Sequence, residues 1–163
     1  MAATDIFERL KQDHDKHRNL IAAIEQTVGE SDERKQLFDQ YHADAHAHAA
    51  TEELTLYHTM MGESELRVYA QHAAKDHHEI DALFTELAEA DMSSSGWLNK
   101  FKTLKDQYLD HLKEEEETIF PDALKAIGKA KAVDLRDAFN AQKPEEIERA
   151  KSGADEKINE KIG

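Results

Sequence analysis

No cysteine occurs among the 163 residues. Disulfide frameworks, zinc–thiolate sites and thiol chemistry are excluded together. Proline occurs twice and glycine six times, too rarely for a fold built from turns and short strands. No apolar run approaches the ~20 residues of a membrane span. "MAATDIFERLKQ" also has no apolar stretch of the kind found in export signals. Positive charge is scarce: 21 Lys and Arg stand against 35 Asp and Glu, a formal net charge of −14. That balance suits neither nucleic acid nor an anionic membrane surface. A cytoplasmic location is the expectation.

What is abundant is Ala, Leu, Glu, Lys and Gln, all strong helix formers. The chain reads as all-α. Glycines at Gly29, Gly62, Gly96 and Gly128 divide residues 1–128 into four stretches of similar length, and glycine is common just past a helix end. Thr4-Asp5, Ser31-Asp32, Ser64 and the run Ser93-Ser94-Ser95 supply start signals. Phe7, Leu10, Ile21, Ile24 and Val28 keep helical period in the first stretch. Leu66, Ala70, Ala73, Ile80, Phe84 and Leu87 do so in the third. Short loops between long helices imply an up-down-up-down antiparallel four-helix bundle. Residues 129–163 read as a charged extension of one or two short peripheral helices, with thin apolar faces (Val133, Leu135, Phe139; Ile147; Ile158, Ile162) and a new start at Pro144.

Histidine interrupts these apolar stripes. "HADAHAHAATEE", residues 42–53, holds three of the ten histidines. A repeat identifies which of them matters. His14 and His77, His48 and His111, and Glu52 and Glu115 are each separated by the same 63 residues. Each half carries a His on its first helix and a His-x-x-x-Glu on its second. At 1.5 Å per residue, all four histidines lie roughly 20–24 Å from their bundle end, and so at one level. A His and a Glu four apart project from the same helix face.

Four histidines and two glutamates inside an apolar bundle need compensation, because an unpaired buried carboxylate costs several kcal/mol. The groups satisfy one another by hydrogen bonds, or some of them face solvent, or cations lie between them. Two metals bridged by both carboxylates, each with two histidines, would use all six. Imidazole and carboxylate together suit iron, and also manganese or zinc.

"LKQDHDKHRNL", "HAATEELTLY", "AAKDHHEIDALFTEL" and "HLKEEEETIFP" resemble the four helices of the hemerythrin-like (HHE) family. The resemblance spans about residues 4–127, and the stretch His111 to Pro121 is its most specific part. It implies a non-haem di-iron centre bridged by carboxylates and an oxo or hydroxo group. His14, His48, His77 and His111 would be terminal ligands, and Glu52 and Glu115 bridges. The implied function is binding of O₂, NO or a related oxidant in oxygen or redox-stress sensing or response. Peroxide decomposition or oxidase chemistry is the alternative, and iron storage or a metal-free interaction bundle ranks below both. No protein partner is indicated. The oxygen carriers of the family have a His-x-x-x-His pair on the third helix. Here Ala73 stands four before His77 and Asp81 four after. Their final-helix aspartate is Glu116 here. One open position per metal results, available to O₂, NO or peroxide.

Several neighbours carry weaker expectations. His17 is an extra ligand, an outer hydrogen-bond partner or core filler. Asp44, four before His48, is a candidate hydrogen-bond partner behind the ligands. Tyr108 lines the site or packs. Glu53 and Glu116 point about 100° off the ligand face and so into solvent, unless a helix distortion brings them in. His42, His46, His72 and His78 read as surface.

Overall fold

Helix formers in long uninterrupted runs let the backbone satisfy its own N–H and C=O groups, and apolar stripes on those helices then drive them together. The computed structural model describes residues 2–29 and 31–152. Among these there is no strand. The helices are α1 (Ile6–Glu25), α2 (Asp32–Glu52), α3 (His58–Met61), α4 (Arg67–Glu89), α5 (Trp97–Glu114), α6 (Phe120–Ile127) and α7 (Lys129–Ser152). A π-helical turn, Glu53–Tyr57, joins α2 to α3, and a second, Glu115–Ile119, joins α5 to α6. The bundle therefore has four rods: α1, α2–α3, α4 and α5–α6. The sequence leads to the same all-helical bundle.

Two of the start signals act as caps. Asp5 accepts from the Glu8 N–H at 3.0 Å, and Ser31 accepts from the Arg34 N–H at 3.1 Å. Ser64 and the Ser93–Ser95 run do not. Helix α4 begins after Leu66 and α5 after Gly96, without a side-chain cap, and Ser93 instead closes a turn on Asp91. Gly29 and Gly128 take φ of 57° and 83°, where a side chain would be strained. Helix α1 stops at Glu25, earlier than its stripe suggests, so Val28 is 84% exposed rather than part of the core.

The extension differs most from its sequence reading. It is one helix of 24 residues, and Pro144 lies inside it. Proline removes one N–H bond to the preceding turn. The helix continues because its seat fixes both sides of that residue: Phe139 and Lys143 before it, Glu146 after it, all buried. Lys129 donates to Asp5 at 2.6 Å and Arg9 to Asn140 at 2.8 Å, lacing α7 along α1. Ile158 and Ile162 lie outside the described residues.

The apolar core is in two parts. One gathers Phe7, Leu10, Leu56, Met60, Ile119, Phe120 and Phe139. The other gathers Ile24, Phe38, Tyr41, Phe84, Trp97, Phe101 and Leu104 at the opposite end. A polar layer crosses the bundle between them, containing His14, His17, His48, Glu52, His111 and Glu115, all buried.

Candidate metal centre

Each of the four rods contributes to this layer. Helix α1 brings His14, α2 brings His48 and Glu52, α4 brings His77, and α5 with its π turn brings His111 and Glu115. The six side chains form two groups, His14, His48, Glu52, Glu115 and Glu52, His77, His111, Glu115, whose ligand atoms within each group lie within 4.8 Å of one another. The glutamates are common to both. The Nε2 atoms of His77 and His111 are 3.1 Å apart. His111 Nε2 is 3.1 Å from Glu115 Oε1, His77 Nε2 is 3.2 Å from Glu52 Oε1, and His14 Nε2 is 3.5 Å from Glu115 Oε1. His14 Nε2, His48 Nε2, both Glu52 oxygens and Glu115 Oε1 are buried without a hydrogen-bond partner. So many converging orphan atoms leave the layer unsatisfied by its own members.

The opposite nitrogen of every imidazole is held from behind. His48 Nδ1 is 2.8 Å from Asp13 and His111 Nδ1 is 3.2 Å from Asp76. His14 Nδ1 is 2.7 Å from Glu116 and His77 Nδ1 is 3.3 Å from Glu53. The 63-residue repeat maps each of these pairs onto its partner. A carboxylate behind Nδ1 fixes the ring's tautomer and presents the Nε2 lone pair forward, the arrangement metal-ligating histidines adopt. Both His-x-x-x-Glu motifs run into a π turn, which adds a residue to the local turn and rotates the residues beyond it. Glu53 and Glu116 stand at the start of these turns, and their carboxylates reach His77 and His14. The solvent-facing expectation is corrected for Glu116, whose side chain is only 22% exposed; Glu53 stays 43% exposed, as expected, while its carboxylate still reaches His77. Thr51 and Thr55 bond the carbonyls four residues before them at 2.6 and 2.7 Å, softening the ladder where the first π turn forms.

The charges reflect the crowding. Burial alone would lower the His14 pKa, but Glu115 and Glu116 outweigh it and raise it to about 9. Burial opposes Glu52 and Glu53 at His77 in the same way, and the result is again about 9. At His111 burial is overcome by Glu115 and Asp76, and the pKa reaches about 10. His48 goes the other way: burial dominates and lowers it to about 3, leaving a neutral ring. Burial and the facing Glu115 push Glu52 up to about 7. Three imidazoles that hold protons against burial, beside two buried carboxylates, mark a place that requires positive charge.

Tyr57 completes the inner face. Its hydroxyl donates to Glu115, and its ring stacks on His77 at 5.4 Å. A cavity of about 330 Å³ runs between α2 and α4 to this face. His48, His77, His111 and Tyr108 line its floor, and Ala45, Ala49, Ala50 and Ala74 leave the space above them.

A comparison with protein-family models matches residues 5–123 to the hemerythrin HHE cation binding domain. The chain belongs to the hemerythrin HHE family. Among solved structures, a hemerythrin HHE cation binding domain-containing protein from Mycobacterium kansasii is similar in fold. It has a TM-score of 0.78 at 21% identity, over 89% of this chain and 88% of that one. No functionally curated protein matches the chain. This HHE domain is accordingly cation-binding, and its buried His/Glu cluster is the place in it that fits a metal.

All six sequence-predicted residues of the HHE domain, His14, His48, Glu52, His77, His111 and Glu115, meet in the layer. His17 does not join them. Its Nε2 lies 2.6 Å from Asp44 and its Nδ1 2.5 Å from the Tyr108 hydroxyl. Asp81 pairs with His46 at 3.2 Å, beside the cavity and away from the cluster. His72 joins Asp76 and Glu114 at the surface. Sequence reasoning missed four contributors. Tyr57 gave no signal, because its repeat partner Phe120 has no hydroxyl. Asp13 immediately precedes His14, and its repeat partner Asp76 precedes His77, a symmetry that marks both. Lys143 gave no signal, because it belongs to the extension.

Proposed function

We propose that the chain holds two iron ions between its four imidazoles and two carboxylates, and binds a small oxidant (O₂, NO or hydrogen peroxide) there in an oxygen or redox-stress response. The observation that carries this is the set of buried orphan atoms, His14 Nε2, His48 Nε2, Glu52 Oε1 and Oε2 and Glu115 Oε1, aimed at two shared positions. Neutral imidazole and carboxylate form a donor set suited to iron. The iron pair, when bound, supplies electrons and Lewis acidity. The chain supplies the rest. Asp13, Asp76, Glu53 and Glu116 hold the imidazoles in the ligating tautomer. The two apolar cores keep bulk water from the layer. The cavity admits a small molecule beside His48, His77 and His111. Tyr57 offers an O–H at the inner face.

Peroxide decomposition at the same site is a second reading. Ala73, fully buried one turn before His77, has no nitrogen to offer, so the cluster leaves more room for turnover than a set with a further histidine would. Metal analysis of freshly purified protein tests the first reading, with two irons per chain expected. Protein that carries no iron and takes none up under anaerobic reconstitution overturns it. O₂ release from hydrogen peroxide, above that of free iron, decides for the second.

A further inference from the structure

We propose that Tyr108 is a redox-active tyrosine that passes an electron to the metal centre while its phenolic proton moves to Nδ1 of His17. The proposal rests on the metal-centre reading above for its electron acceptor, and on the hydrogen-bond geometry of this chain for everything else.

Tyr108 lies on α5 one turn before His111, is 4% exposed, and lines the cavity floor with His48, His77 and His111. Its hydroxyl is 2.5 Å from His17 Nδ1, and His17 Nε2 is 2.6 Å from Asp44 Oδ2. A neutral imidazole has one N–H donor and one acceptor nitrogen. An ionised carboxylate only accepts, so Nε2 carries the hydrogen and Nδ1 is the lone-pair nitrogen facing the phenol. Tyr108 is therefore the donor. The buried Lys143 ammonium beside Asp44 already balances that carboxylate, so the His17 ring between Asp44 and the phenol carries no charge of its own. Asp44 is itself anchored by Lys16 at 3.1 Å and Lys143 at 3.3 Å. The His17 ring also stands 5.4 Å from that of His48, so the triad abuts the ligand layer.

A buried phenol that loses an electron cannot keep its proton, because a cation in an apolar site is costly. The triad gives that proton a place to go. The O–H bond of Tyr108 breaks, one electron reduces the oxidised metal centre by one unit, and the proton binds Nδ1 of His17. The products are a neutral phenoxyl radical and an imidazolium held on the Asp44 carboxylate. Return of the electron reverses each change. An oxidant such as hydrogen peroxide that draws electrons from the centre leaves a hole there, and Tyr108 fills it. The other buried tyrosines lack this arrangement. The Tyr41 hydroxyl has no hydrogen-bond partner, and Tyr57 donates to Glu115, a carboxylate of the cluster itself.

The test uses the zinc-loaded full chain, in which the metal is redox-silent. Flash oxidation by a photoexcited ruthenium polypyridyl complex is followed by the absorption and electron paramagnetic resonance of the phenoxyl radical. A fast phase is expected in the unaltered chain and in Tyr41→Phe, and is lost in Tyr108→Phe. His17→Gln retains an acceptor atom but no base, and slows that phase by about a hundredfold, the scale of a positioned proton acceptor. A solvent deuterium effect on the unaltered chain reads the same proton transfer without substitution. Persistence of the phase in Tyr108→Phe, or indifference to both His17→Gln and deuterium, overturns the proposal. Iron-loaded protein quenched after peroxide is expected to show the radical signal, absent in Tyr108→Phe. A silent sample of verified iron content overturns the link to the centre. Metal content is measured on each sample, so failure of the metal-centre reading is seen separately from failure of the flash experiment.

Discussion

The Lys143 ammonium lies 2.7 Å from Asp13 Oδ2, and the same oxygen is 2.8 Å from Nδ1 of His48. The extension thus reaches the ligand layer through one carboxylate. The repeat makes the asymmetry plain. Asp13 and Asp76 are equivalent, but α7 covers only the first, while Asp76 opens toward His72 and Glu114. Lys143 also holds Asp44 at 3.3 Å. Burial would raise the pKa of both aspartates, but His48 and Lys143 at Asp13, and His17 and Lys143 at Asp44, hold each well below the usual carboxylate range.

Lys143→Met removes that cation and leaves two buried carboxylates facing each other. Breaking a buried ion pair from one side costs about 3–5 kcal/mol. Urea denaturation of the metal-loaded protein measures it. On the two-metal reading, chelator competition should show a second effect: loss of orientation at His48 weakens one of the two positions by about 10–100-fold. Equal weakening at both positions would mean that α7 acts through general stability and not through Asp13.

Substitution of the proposed ligands separates the cluster from nearby histidines. His111→Ala and Glu115→Ala each remove an inner donor and are expected to lose bound metal. His46→Ala, at a side chain paired with Asp81 beside the cavity, is expected to keep it. Asp76→Asn tests the outer layer, with an affinity loss of about 10–100-fold and an unchanged fold by circular dichroism. Metal content after desalting is the measurement in each case.

The fold and the inner site were legible because both depend on spacing. Helical period located the rods, and the 63-residue repeat put His14, His48, His77 and His111 at one level. The illegible features depend on departures from regular geometry or on distant packing. Glu53 and Glu116 reach His77 and His14 from the start of π turns, contacts that a constant 100° step does not anticipate. Val28 fell outside the core because α1 stops short of its stripe. Helix α7 continues through Pro144 because α1 and α2 hold it on both sides, an effect no local signal in "NAQKPEEIE" announces. Lys143 was hidden for the same reason: a lysine in a charged run looks solvated until its partners are known.

Ala49 offers a way to close the cavity without touching a ligand. Its side chain borders the space above His48 and His77. Ala49→Leu adds bulk there, which should slow binding of azide or NO to the iron-loaded protein while iron content stays at the level of the unaltered chain. Stopped-flow spectroscopy reads the rate. An unchanged rate would show that small molecules reach the layer by another path.

The pH dependence of stability should differ with and without metal. In the metal-free chain His14 and His77 are raised to about 9 and His111 to about 10, against 6.5 when unfolded. A base whose folded pKa is raised stabilises the fold fully below its unfolded value, and that contribution is lost as pH rises through the folded value. Glu52, raised from 4.5 to about 7, adds loss in the same direction as it ionises. The metal-free chain is therefore expected to melt at progressively lower temperature from about pH 6.5 to 9. Cations displace these protons, so metal binding strengthens as proton competition falls over the same interval. Calorimetry with and without chelator measures the gap between the two melting temperatures, and it should widen as pH rises. A gap that stays constant or narrows would mean that the protons on His14, His77 and His111 are not what the cations replace.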